Sequence, residues 1–229
     1  MSARLDCFVT GTDTGIGKTW ISAGLMRCYS AAGLRVAAMK PVASGCRRTR
    51  AGLRNEDAEN LQALASVTTP YELVNPVPLP DAVAPHIAAA RAGVRIDLAA
   101  IRSAYLQLRE QTNAVIVEGI GGWRVPLSEV GTTADLVRAL EMPVLLVVGL
   151  RLGCINHALL SVESIAADQV PLAGWVANHV QPGFSEAGDV INYLSEHIGA
   201  PLIGIVPNLK EFLPDRVAEA LAIELLAFG

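Results

Sequence analysis

Charge is scarce in this chain, and lysine scarcer still. Charged residues make up 17% of the 229 positions, and the lysines are Lys18, Lys40 and Lys210, the other cations being arginines. The formal net charge of −4 offers no general attraction for nucleic acid or an acidic membrane surface, so a bound anion must be held by a local site. The cysteines, Cys7, Cys28, Cys46 and Cys154, show no CxxC spacing and no histidine partners at zinc-site intervals; they suggest neither a disulfide framework nor a structural metal, and fit reduced thiols. No apolar run is long enough to span a bilayer, and Asp6 and Gly11 interrupt the segment where a leader would need its apolar stretch. Together these absences lead to the expectation of a cytoplasmic protein with neither membrane nor nucleic acid as partner. With no internal repeat and no low-complexity linker, residues 1–229 read as a single domain.

What the chain does have is apolar residues, 52% of the total, enough for a substantial core. Short apolar runs, LDCFVT, LRVAAMK, NAVIVEG, PVLLVVG, LAGWVAN and PLIGIV, have strand length and no polar alternation, the pattern of parallel strands covered on both faces. Between them lie WISAGLMRCYSAAG, EDAENLQALAS, IDLAAIRSAYLQLREQ, TADLVRALE and INHALLSVESIAADQ, each with helical spacing. The alternation predicts an α/β fold with an open, mostly parallel sheet flanked by helices. Gly33 is placed to end the first helix, Asp97 and Thr132 or Thr133 to cap later ones, and Pro214-Asp215 to open the last. The segment from Pro70 to Pro85 is too proline-rich for a central strand or a helix and predicts a surface excursion.

The first strand runs into VTGTDTGIGKT, Val9 to Thr19. A phosphate-binding loop ordinarily has four residues between its first glycine and Gly-Lys-Ser/Thr; here five separate Gly11 from Gly17, Lys18 and Thr19. A glycine-rich strand-to-helix turn can serve close packing alone. The order of strand, glycine loop, Gly-Lys-Thr and helix favours a phosphate site enlarged by one residue. The helix N-terminus supplies roughly half an elementary positive charge, too little for a triphosphate, so Lys18 is the candidate for the phosphates and the Thr19 hydroxyl for Mg2+. Lys40 follows the second strand, within reach of the same ligand. Glu118 ends the strand AVIVE, and Gly119, Gly121 and Gly122 leave room for phosphates; it is the first candidate carboxylate for the metal. Asp57, in RNEDAEN, reads equally as a second metal ligand or as a helix-start carboxylate satisfying backbone N–H groups.

With these pieces in place the chain resembles the dethiobiotin synthetase family, nearly from end to end. The extended loop is that family's variant, and KPVASG (Lys40 to Gly45), GLRNEDA (Gly52 to Ala58), VEGIGGW (Val117 to Trp123), VVGLRLGCINHALL (Val147 to Leu160) and GWVANHV (Gly174 to Val180) are similarly close to family segments. The resemblance implies a P-loop NTPase-like fold and an ATP- and Mg2+-dependent cyclo-ligase. Its substrates would be 7,8-diaminopelargonate and CO2, joined through a carbamate and a carbamic-phosphoric mixed anhydride. It also implies roles. Lys18 and Lys40 flank the γ-phosphate and the carbamate, Thr19, Asp57 and Glu118 hold Mg2+, and Gly15, Ile16, Gly17, Gly119 and Gly121 belong to the nucleotide site. Thr14 and Ser44 orient the diamine, although Ser44 is also readable as a solvated loop serine. Asn178, His179, Pro207, Asn208 and Leu209 surround the base, where an Asn amide can donate and accept. Gly153, Cys154, Ile155 and Asn156, at a helix N-terminus, take the substrate carboxylate across a two-fold interface, which implies a homodimer. None of His86, His157, His179 or His197 is given an acid-base role.

Where some family members carry an acidic loop residue this chain has Gly15, so a more mobile empty loop is expected. Two rival readings are a regulatory P-loop ATPase or GTPase switch and a related amide-forming synthetase. The switch reading lacks the second, early loop lysine of partitioning ATPases and the guanine-reading Asn-Lys-x-Asp motif, since ANHV has no acidic partner.

Overall fold

The computed structural model describes residues 5–129 and 131–227. The strands and helices alternate as the apolar runs require. The first half comprises β1 (Cys7–Gly11), α1 (Lys18–Ala31), β2 (Val36–Met39), β3 (Val42–Ala43), β4 (Arg47–Thr49), β5 (Gly52–Arg54), α2 (Glu56–Leu64), α3 (Tyr71–Val74), β6 (Val77–Pro78), α4 (Pro85–Ala92) and α5 (Leu98–Glu110). The second half comprises β7 (Ala114–Glu118), α6 (Thr133–Leu140), β8 (Val144–Gly149), α7 (Cys154–Ala167), β9 (Leu172–Asn178), α8 (Ala187–His197), β10 (Leu202–Val206), α9 (Pro214–Ala218) and a 3-10 turn, Ile223–Leu225.

Six strands form one sheet in the order β10-β9-β8-β1-β7-β2, and every neighbouring pair is parallel. This is the open, helix-flanked sheet the alternation predicts. Strand side chains alternate between faces, and both faces are dry. From β1, Phe8 enters a core with α4, α5 and α6, while Cys7 and Val9 enter another with α1, α2 and α9. On β8 and β9, Leu146, Val148, Trp175 and Ala177 meet α7 and α8. Strands covered on both sides can be apolar at every position, which is why AVIVE and VLLVVG carry no alternation.

The predicted punctuation holds. Gly33 follows α1 at φ 78°, Asp97 accepts from Ala99 and Ala100 N–H at 2.8 and 3.3 Å, Thr132 and Asp135 form a capping box on α6, and Pro214 opens α9.

The proline-rich segment departs from expectation. Val74 and Leu79 are fully buried, and Val77 and Pro78 pair with Val42 and Ala43. Proline needs no ladder donor in so short an edge pair, and the segment's apolar side chains bury themselves beside α5; Pro70, Glu72 and Ala82 to Ala84 alone reach the exposure expected of an excursion. Helix α8 and the β4–β5 hairpin carried no expectation at all. All of the β-sheet's C-terminal ends point to one edge, where open α/β sheets bind ligands.

Candidate nucleotide site

The loop between β1 and α1 is built by glycine at two points. Gly15 and Gly17 have φ of 72° and 87°, a region other residues enter only with strain. Gly17 is also crowded: a Cβ there would collide with the Asn178 amide, whose Nδ2 donates to the Ile16 carbonyl at 2.7 Å. The end of β9 is thereby fastened to the loop. At the loop's other side Asp13 Oδ1 accepts from Thr14 N–H at 2.7 Å and its other oxygen is paired with Arg151. The Thr14 N–H, and secondarily the Arg151 guanidinium, hold the Asp13 carboxyl below the usual range.

The loop leads into a cavity of about 1000 Å³ across the ends of β1, β2, β7 and β9. Lys18 enters it from the first turn of α1 and donates to the Asp13 carbonyl at 2.7 Å. Lys40 enters from the end of β2, only 5% exposed. Its ammonium is bonded to Glu118 and lies 3.3 Å from both Asp57 Oδ2 and the Gly119 carbonyl. A buried ammonium with no partner would cost several kcal/mol; these acceptors remove that cost. Burial pulls the Lys40 pKa down, but the Glu118 and Asp57 carboxylates outweigh it and hold the amine above its ordinary value. Lys18 has no carboxylate of its own in contact. Burial first, and then the Lys40 ammonium, bring it down to about 8.

The position of Lys40 is fixed from the proline-rich segment. Its N–H donates to the Val74 carbonyl at 2.7 Å, and its carbonyl accepts from Asn75 Nδ2 at 2.6 Å. Tyr71 donates its hydroxyl proton to Asn75 Oδ1 at 3.1 Å and accepts the Asn55 N–H at 2.8 Å. Asn55 in turn caps the helix bearing Asp57. With Asn55 as the cap, the Asp57 carboxylate is not needed for that duty and faces Lys40.

Two carboxylates and the Thr19 hydroxyl converge. Thr19 donates to Glu118 Oε1 at 2.9 Å, while Glu118 Oε2 is buried with no hydrogen-bond partner among the described residues. Among the described residues no cluster of three or more His, Cys, Asp or Glu exists. A hard cation that keeps several waters asks for fewer protein ligands, and a hydroxyl with one or two carboxylates is the donor set Mg2+ uses. The orphaned Oε2 is the atom that fits it.

The cavity wall includes Thr14, Gly15, Gly17, Lys18, Thr19, Lys40, Ser44, Asp57, Glu118 and Gly121, and, at its other end, Asn178, His179, Pro207, Asn208 and Leu209. The buried Ser44 hydroxyl has no partner, unlike a solvated loop serine. Two expectations need correction. Ile16 is a core residue, 1% exposed and off the wall, because its side chain fills the space left by Gly11 and Gly149. Gly119 is also off the wall, packed against Phe8, and contributes its carbonyl to Lys40. Gly153, Cys154, Ile155 and Asn156 form the N-terminus of α7, with Gly153 as its cap, and lie outside the cavity of their own chain; the expectation for them concerns the site of a second copy. Asn178 is refined: its donor is spent on Ile16, leaving Oδ1.

Sequence reasoning missed Trp20, Arg124, Val125 and Pro126, all on the wall, to which the end of the proline-rich excursion, Ala82–Pro85, also contributes. Trp20 adjoins the Gly-Lys-Thr motif, and that adjacency was the signal available.

Sheet order, loop and lysines define a P-loop nucleotide-binding α/β protein. The fold is shared with a chain of the MinC:MinD cell division protein complex from Aquifex aeolicus, with a TM-score of 0.56 at 13% identity over 95% of this chain and 86% of that one. A ParA family ATPase from Chlorobium tepidum TLS gives 0.55 at 13% identity over 97% and 92%. The family described as an AAA domain matches residues 6–216. Over 223 residues the chain is 51% identical to the ATP-dependent dethiobiotin synthetase BioD of Pseudomonas aeruginosa (strain UCBPP-PA14), covering 97% of this chain and 98% of the relative. Over 230 residues it is 48% identical to the protein of the same name from Janthinobacterium sp. (strain Marseille), covering 99% and 98%. The chain belongs to the dethiobiotin synthetase family and is an enzyme of that family. Among the described residues, no helix is long and apolar enough to cross a membrane.

Proposed function

We infer that this chain is an ATP-dependent ligase of biotin biosynthesis, acting as one unit over residues 1–229, that converts 7,8-diaminopelargonate and CO2 to dethiobiotin. The observation that carries the reading is the convergence of Lys18, Lys40 and Glu118 on one cavity at the sheet's C-terminal edge. Its family membership supplies the reaction.

One amine of the substrate bonds to CO2 and releases a proton to solvent, giving a carbamate. A carbamate oxygen then bonds to the γ-phosphorus of ATP as the bond to the bridging oxygen breaks and ADP leaves. The second amine bonds to the carbamoyl carbon and loses a proton as phosphate departs, closing the ring. Anionic charge gathers at every stage, so catalysis needs alignment and fixed cations more than a protein nucleophile. Lys40, charged at neutral pH and anchored through its backbone, faces the reacting group, and Lys18 binds the phosphates. Thr19, Asp57 and Glu118 would hold Mg2+, which when bound neutralises phosphate charge. Ser44, with its free hydroxyl, and Thr14 orient the diamine, and Val83, Ala84, Ile120 and Val125 offer the alkyl chain an apolar wall. Asn178, His179, Pro207, Asn208 and Leu209 flank the base.

The N-terminus of α7 serves the active site of a second copy, so the protein works as a homodimer; the exposed Leu152 and Leu160 beside that terminus, 89% and 56% accessible, support this. The deciding experiment gives purified protein the diamine, Mg2+, ATP and labelled bicarbonate. Label in a cyclic urea is expected. ATP hydrolysis with no incorporated carbon would instead favour the regulatory-switch reading.

A further inference from the structure

Trp20 follows the Lys18-Thr19 pair on the first turn of α1. Successive residues on a helix diverge by about 100°, and here the divergence separates functions. Thr19 turns toward Glu118, whereas Trp20 turns toward the chain that follows β10. Its ring meets Phe212 edge-on, with centroids 6.0 Å apart and planes at 75°. That geometry braces the indole at its edge. Trp20, Val180 and Leu209 belong to one apolar cluster and all three line the cavity, so one end of the cavity is aromatic and apolar where the other is ionic. A triphosphate held at Lys18 leaves its heterocycle to occupy this apolar end. Both side-chain amides at that end are already engaged, Asn178 Nδ2 with the Ile16 carbonyl and Asn208 Nδ2 with the His179 carbonyl.

We propose that Trp20 is a base-binding residue, one wall of a slot that holds the nucleotide's heteroaromatic ring by stacking. The proposal rests on the nucleotide reading of the cavity and adds a residue which that reading did not include. Stacking of a base on an aromatic side chain is worth roughly 1–3 kcal/mol, so removing the indole is expected to weaken ATP binding about tenfold. Inorganic tripolyphosphate, which has no base, is expected to bind unchanged.

Titration calorimetry on the full chain with each ligand, for wild type, Trp20→Ala and Trp20→Phe, separates the outcomes. Support is a loss of ATP affinity in Trp20→Ala, tripolyphosphate affinity within twofold of wild type, and ATP affinity within about threefold in Trp20→Phe. Equal losses for ATP and tripolyphosphate would show that Trp20 merely props the loop, and an unaffected ATP affinity in Trp20→Ala would equally overturn the proposal. Wild-type protein that binds neither ligand would remove the nucleotide reading itself. Fluorescence adds a check, because Trp123 and Trp175 are buried, at 3% and 0% exposure. The ATP-induced change in tryptophan emission is expected to vanish in Trp20→Phe; an undiminished change counts against the slot.

Discussion

The two ends of the cavity are built on opposite plans. At the β1–β7–β2 end, charge is concentrated and committed: Lys40 to Glu118 and Asp57, Thr19 to Glu118, and Lys18 to a loop carbonyl. At the β9–β10 end the polar contacts join pieces of backbone. The His179 N–H donates to the Val206 carbonyl at 3.0 Å, and Asn208 donates to the His179 carbonyl at 2.8 Å, while Trp20, Val180 and Leu209 supply surface. The contrast teaches where substitutions should tell. Removing one charged member of a buried network costs about 3–5 kcal/mol because its partner's charge is left uncompensated. Where a residue at the β9–β10 end contributes only its backbone to the contacts, trimming its side chain costs little.

The sharpest way to break this comparison is at Lys40. Lys40→Gln removes the ammonium proposed to face the reacting group while the loop and the apolar end are untouched, and Lys18 loses only the repulsion that helps lower its pKa. Turnover is expected to fall by at least ~1000-fold, since fixed cationic stabilisation is usually the largest single contribution to such a reaction. ATP affinity is expected to stay within about threefold. Glu118 then sits buried with Thr19 as its remaining donor, and breaking a buried pair costs about 3–5 kcal/mol, so the variant should also melt earlier. Steady-state ring closure, calorimetry with ATP and a thermal unfolding scan read all three. A folded Lys40→Gln protein with wild-type ring closure would end the assignment of this end of the cavity to catalysis.

A middle-sized effect comes from Lys18, whose amine titrates at about 8 in the free protein. Bound phosphates favour the charged form, so above that pH binding must take up a proton that the free protein has already released. ATP affinity is therefore expected to be flat below about pH 8 and to fall above it, approaching a tenfold loss per pH unit. The sign follows from the proton count: the complex holds more protons than the free protein there, so raising pH disfavours it. Calorimetric titrations from pH 7 to 9.5 check this, with Lys18→Met as the variant whose weaker binding should show no such bend. A wild-type affinity that rises through this range would contradict the burial of Lys18.

The same asymmetry explains what could be read before any coordinates. Lys40 and Glu118 could be proposed because each stands at the end of an apolar run, Lys18 and Thr19 because they close a glycine loop that follows one, and strand ends in a parallel sheet gather at one edge. Asp57 stayed ambiguous: its alternative role, capping α2, falls to Asn55 only when Tyr71 and Asn75 are brought in from the proline-rich segment. That segment was misjudged because counting prolines says what backbone is forbidden and nothing about Val74 and Leu79 finding a core. Ile16 misled for the opposite reason: it lies within the loop by sequence, but glycines at 11 and 149 open a hole that its side chain fills. Trp20 and Phe212 are far apart in the chain, and no local pattern marks their contact.

The smallest effect is expected at His179, and it tests the other side of the comparison. The residue lines the cavity, yet the contacts that hold this end are made by its backbone: its N–H to Val206 and its carbonyl to Asn208. Replacing the imidazole in His179→Ala leaves both in place, so ATP affinity and turnover should each change by less than about threefold, and the pH profile of turnover should keep its shape. Asn178→Ala, one residue away, should do more, because its amide ties Ile16 to β9 and its loss frees the loop whose N–H groups receive phosphate. The pair separates a side chain that merely borders the pocket from one that holds the pocket's floor. If His179→Ala were the more damaging of the two, or abolished a limb of the pH profile, the imidazole would be taking part in proton transfer and the apolar end would not be passive.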